Sequence, residues 1–184
     1  MAFLAQLWLP IVVSAVLVFV LSALTHMLVP YRQREWSHAA GEDALQAALR
    51  GAAPGLYAFP APADPHERGK PEALARWAAG PSGWLSVVPP GPLSMGRNLG
   101  LSFLVNLLVS AMVAYLALHA LGHGAHYRAV FRLVGTVGAL AYAVGPLYEG
   151  IWYWKPWRSL AMTALDALLF GLVMAGTFGW LWPR

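Results

Sequence analysis

SLAMTALDALLFGLVMAGTFGWLW, residues 159–182, is the stretch on which the fold turns. Asp166 is the only ionisable side chain in its 24 residues. About 20 consecutive apolar residues suffice for a helix to cross the roughly 30 Å hydrocarbon core of a bilayer. This run exceeds that length, so it predicts a membrane span with one acid inside it.

Working outward, three further runs of the same kind lie at about residues 7–30, 99–121 and 130–149. The composition agrees. Of 184 residues, 59% are hydrophobic and 11% charged, against roughly a quarter charged in an ordinary soluble domain. The mean hydropathy is +0.56. The expected fold is an all-α membrane protein: a four-transmembrane-helix bundle with a cytoplasmic insert that contains a short amphipathic helix and a small β-hairpin. The divisions are 1–30 for the first span, 31–98 for the insert and 99–184 for the other three spans.

The first run begins almost at Met1 and invites comparison with a signal peptide, which needs a basic start, a short apolar core and a small-x-small cleavage site. Its six leading residues carry no charge and its apolar run is about 24 long, so it reads as a retained anchor. The net charge of +4 does not point to nucleic acid, because the basic residues are scattered along the insert and the span ends. They bear on topology. Arg32, Arg34, Arg97, Lys155 and Arg158 face Arg128, Arg132 and Arg184 across the membrane. The positive-inside rule then puts the insert in the cytoplasm and both termini outside. Cysteine is absent, which excludes disulfides and thiolate metal sites.

Within the insert, GEDALQAALRG (41–51) places Ala44, Leu45, Ala48 and Leu49 on one face, acids first and Arg50 last, as a short helix ended by Gly51. PGLYAFP (54–60) and GWLSVVPPG (83–91) are short β-prone runs bounded by Pro and Gly, able to pair antiparallel around the polar stretch between them. Two strands alone are marginal. Their face needs a cover, from the membrane surface or a partner.

Helices in lipid gain little from apolar contact and depend on small residues and a few polar groups. Residues Ala167, Gly171, Ala175 and Gly179 recur every four positions in the last span, and Gly135, Ala139 and Ala143 do so in the third. These two spans should pack closely. Polar stripes run through Ser102, Asn106 and Ser110, through Ser159, Thr163 and Asp166, and from Ser22 to His26. At 1.5 Å of rise per residue, Asn106 and Asp166 both lie roughly 10 Å deep on the insert side, with His26 shallower and Glu149 at the border. If the stripes face inward, His26, Asn106, Asp166 and Glu149 form one intramembrane polar pocket. A carboxylate in hydrocarbon costs at least about 2.5 kcal/mol on insertion scales, so Asp166 must be paired, hydrated or protonated. It either locks the bundle by hydrogen bonding or, with His26, passes a proton or holds a cation. Glu149 can equally form an interfacial ion pair with Lys155 or Arg158.

In YEGIWYWKPWRS (148–159), Trp152, Trp154 and Trp157 with Lys155 and Arg158 suit an interfacial belt, and Trp180 and Trp182 mark the opposite interface. His119, His123 and His126 bracket the turn between the second and third spans; they are weak candidates for a metal, with Gly122 and Gly124 loosening the turn and no carboxylate nearby. No nucleophile elbow, P-loop, zincin helix or dinucleotide fingerprint occurs, so no catalytic residue and no cofactor is expected.

VPYR (29–32), PGLYAFP, IWYWKPW (151–157) and MAGTFGWLWPR (174–184) together resemble a group of small uncharacterised bacterial four-span inner-membrane proteins. The resemblance implies location and fold and transfers no site. The expected function is that of an accessory or structural membrane subunit, whose partners are the lipid bilayer and other membrane subunits or a second copy. The alternatives are a small proton- or cation-coupled transporter and a membrane enzyme acting on lipids.

Overall fold

The computed structural model describes residues 2–30 and 35–183, with side chains from Ala5 onward. Arg32, Arg34 and Arg184 lie outside the described residues. The chain divides into two compact units, Met1–Ser37 with Ser94–Arg184, and His38–Leu93.

The first unit holds four long helices: α1 (Ala2–Leu28), α4 (Met95–Leu121), α5 (Tyr127–Tyr153) and α6 (Trp157–Trp180). All four are long and apolar enough to cross a membrane, which makes this a multi-pass membrane protein. Each packs chiefly on two others, α1 on α4 and α6, and α5 on α4 and α6. Along α1 the buried residues are Leu7, Pro10, Ile11, Ser14, Ala15, Val18 and Thr25, a spacing of three and four that defines one seam. Leu7, Ile11, Val113, Val130, Val134, Met174 and Phe178 lie at the centre of the apolar core.

The expected closeness of the last two spans is present. A Cβ placed on Gly171 would lie 2.7 Å from the Gly135 carbonyl oxygen and 2.9 Å from the Ala139 nitrogen, and one on Gly135 would lie 3.2 Å from Ala175 Cβ. Helix backbones meet directly there. The α4–α5 turn differs from expectation. Gly122 and Gly124 adopt positive φ of 68° and 70°, a region glycine enters without steric cost, and the turn is tied down. Trp182 Nε1 donates to the Gly122 carbonyl at 3.1 Å, and Gly124 N–H donates to the Pro183 carbonyl at 3.0 Å. Trp182 is accordingly buried in the core rather than standing at the interface; Trp180 is the exposed one.

The second unit contains α2 (Glu42–Ala48), β1 (Gly55–Phe59), a 3₁₀ turn (Pro65–Glu67), α3 (Pro71–Ala79) and β2 (Gly83–Val87). The strands pair antiparallel, Tyr57 opposite Leu85 and Ala58 opposite Trp84. Helix α2 forms but buries none of its residues. The polar stretch between the strands holds a helix that sequence reasoning missed. In α3, Pro71 opens the first turn, Glu72 follows, Arg76 sits in the last turn and Gly80 closes it, an arrangement that matches both helix ends to their side chains. Its Trp77 ring packs on Trp84 of β2 at 5.3 Å. The strands thus obtain cover from within their own unit.

Candidate functional site: a buried polar seam

The polar side chains of the bundle interior are linked from one helix to the next. Ser14 on α1 and Ser110 on α4 share a hydrogen bond of 2.9 Å with both side chains fully buried. One turn before Ser110, the buried Asn106 accepts a hydrogen bond at Oδ1 from the Tyr142 hydroxyl of α5 at 2.9 Å. The amide oxygen can only accept, so the phenol is the donor of this bond. The Tyr142 ring in turn stands edge-on to Phe170 of α6, at 5.3 Å and 77°. Asp166 precedes Phe170 by one helical turn on the same face, 3% exposed, and it engages a partner. A chain of contacts therefore runs from Asn106 through Tyr142 and Phe170 to the turn that carries Asp166.

Two of the four residues assigned by sequence to the pocket, Asn106 and Asp166, are buried in the bundle, on helices that each pack on α5. The other two turn elsewhere. His26 is exposed and its Nδ1 donates to the Ser22 carbonyl of its own helix at 2.8 Å; a carbonyl can only accept, so Nδ1 carries the proton. The reason lies in the α1 seam. Leu7, Ile11, Ser14 and Val18 recur at positions that carry forward to Thr25, and His26 sits about 100° further round the helix. Thr25 is buried in its place, its hydroxyl donating to the Ser22 carbonyl at 3.0 Å. Glu149 is exposed and forms an ion pair with Lys155, the interfacial alternative open at the sequence level.

On the polar stripe of α4, Ser102 also faces outward and donates to the Asn98 carbonyl at 2.9 Å. On α6, Thr163 donates to the Ser159 carbonyl at 3.0 Å, while the Ser159 hydroxyl donates to Glu35 at 3.0 Å. Glu35, Ser14, Thr25 and Tyr142 were not singled out from sequence. For Ser14 and Thr25 the signal was available in the three-and-four spacing of the α1 seam. Tyr142, between Ala139 and Ala143 of the small-residue row, had no such signal, because its partner lies 36 residues away.

The three histidines at the other end do not assemble. His119 Nδ1 donates to the Tyr115 carbonyl at 2.8 Å, His126 accepts from the Arg128 N–H at 3.3 Å as the cap of α5, and His123 is exposed. Among the described residues no three His, Asp or Glu side chains stand close enough to hold a metal ion. Trp152, Trp154 and Trp157 are each at least two-thirds exposed, with Lys155 and Arg158 beside them in sequence, as an interfacial belt requires.

No protein-family model, curated protein or solved structure matches this chain.

Proposed function

We propose that this protein is an accessory or structural subunit of the bacterial cytoplasmic membrane, with its insert in the cytoplasm and both termini in the periplasm. The observation that carries the reading is the use made of the interior polar groups. Ser14 bonds Ser110 and Tyr142 bonds Asn106 between helices, so these side chains join the bundle together where a transport path would need them free to exchange partners. Lys155, Arg158 and Arg97 on the insert side, against Arg128 and Arg132 opposite, favour the stated orientation. A partner subunit or a second copy would engage the insert or the lipid-facing helix surface.

A second reading has one observation in its favour. Asp166 is a buried carboxylate in a span, and such residues commonly mark proton or cation routes. Asp166→Asn separates the two. The subunit reading expects the variant to fold, to melt within a few degrees of the parent and to retain the same cross-linked neighbours when purified from native membranes. Reconstituted vesicles that accumulate protons or cations with the parent protein and lose that flux in Asp166→Asn, with the fold intact, would replace the first reading by the second.

A further inference from the structure

The outward-facing side of the α5–α6 contact carries a groove of about 420 Å³ lined by Phe131, Arg132, Gly135, Thr136, Ala139, Leu140, Leu168 and Leu172. We propose that this groove binds one anionic phospholipid, with the phosphate on Arg132 and one acyl chain lying over Gly135 and Ala139 between Leu140, Leu168 and Leu172.

The shape has a sequence cause. Gly135 and Ala139 are the residues that let α5 approach Gly171 so closely, and the same lack of side chain leaves a trough above them. Its walls, Leu140, Leu168 and Leu172, are each more than half exposed. From Arg132 to Leu140 the trough runs eight residues, about 12 Å along the helix, less than half of the roughly 30 Å hydrocarbon core. It therefore belongs to one leaflet. In a bilayer the medium that fills such a trough is an acyl chain.

Arg132 supplies the choice of headgroup. It is exposed, it lies five residues inside α5, and it makes no ion pair among the described residues. A guanidinium at that depth reaches toward the interface for a counter-charge. Arg128, one turn nearer the helix start, is also exposed and shares its face. No internal carboxylate competes: the sequence has no Asp or Glu from residue 73 to 148, nor from 167 to 184. Arginine takes a phosphate through two parallel hydrogen bonds, and a pair of arginines with no acid at their end of the bundle favours a lipid of net negative charge over a zwitterionic one. At headgroup depth, the Tyr127 ring contacts Phe131 at 5.8 Å and borders an open cleft with Gly179, Trp180 and Trp182. That cleft leaves room for the glycerol and headgroup beside the groove.

The test uses the full-length protein in detergent, with dioleoyl phosphatidylglycerol or dioleoyl phosphatidylcholine added at equal amounts, read by thermal unfolding and by native mass spectrometry of retained lipid. Phosphatidylglycerol is expected to raise Tm several degrees more than phosphatidylcholine and to remain bound at one molecule per chain. R132A should lose that difference and reduce retention at least fivefold, R132K should keep part of it, and T136W, which fills the trough, should lose retention of both lipids. Equal shifts from the two lipids, or undiminished phosphatidylglycerol retention in both R132A and T136W, would overturn the proposal. So would a chain that sheds all lipid and instead buries the groove in a cross-linkable dimer. Should R132A fail to fold, R132K and T136W decide on the same criteria.

Discussion

A single hydroxyl links α4 to α5 by a side-chain hydrogen bond. The Tyr142 hydroxyl donates to Asn106 Oδ1 at 2.9 Å, a part-buried bond between two spans. Hydrogen bonds between membrane helices average about 0.6 kcal/mol and reach about 1.7 kcal/mol, so Tyr142→Phe should destabilise the bundle by about 1 kcal/mol, read by denaturant or thermal unfolding in detergent. Ser14 and Ser110 permit a cleaner measurement, because each is the other's partner at 2.9 Å and both are fully buried. A double-mutant cycle of Ser14→Ala and Ser110→Ala should give a coupling of about 0.5 kcal/mol or more; additive effects would show that the pair contributes nothing to holding α1 on α4. At this scale the sequence was only partly legible. Asn106 and Asp166 could be assigned to the interior because a polar side chain deep in a span has no favourable place in lipid. His26 could not be judged by depth alone, since one residue of difference from Thr25 turns a side chain about 100° around the helix axis.

Between elements, the α5–α6 contact is set by glycine. Position 171 tolerates no Cβ without moving a backbone, the nearest atoms being the Gly135 carbonyl oxygen at 2.7 Å and the Ala139 nitrogen at 2.9 Å. Gly176, five residues on in the same helix, has nothing within 4 Å of an added Cβ. The pair makes an internal control. Gly171→Ala should cost about 1–3 kcal/mol, as overpacking does in a tight core, while Gly176→Ala should be neutral or slightly favourable through helix propensity. Equal effects at the two sites would mean that the helices have slack to separate. The period of four in Ala167, Gly171, Ala175 and Gly179 made this contact legible from sequence. The structure uses that row as the sequence indicated, against Gly135 and Ala139 of the preceding span. A periodic stripe specifies that a helix will be approached closely and does not specify by whom.

Across the whole molecule, the insert carries its own packing. Residues His38–Leu93 form a separate compact unit in which α3 supplies Trp77 to Trp84. Aromatic pairs contribute about 0.5–1.5 kcal/mol beyond the area they bury, so Trp77→Ala should loosen this unit. Hydrogen exchange should rise across residues 55–87, with protection of the four long helices unchanged. A uniform rise throughout the chain would show that the two units unfold together. The sequence by itself determined the membrane architecture, the four spans and the pairing of the two short strands, because chain length against bilayer thickness, and Pro and Gly at strand ends, are local properties. Helix α3 was legible in its Pro71, Glu72, Arg76 and Gly80 only once its amphipathic turn was separated from the polar residues around it. Tertiary structure alone decided which side chains meet: Tyr142 with Asn106, Thr25 inward and His26 outward, Glu149 with Lys155, and Trp182 in the core tying down the α4–α5 turn. Those outcomes depend on how each helix is rotated about its axis. That rotation follows from the fit of all four helices at once, a condition that no single span contains.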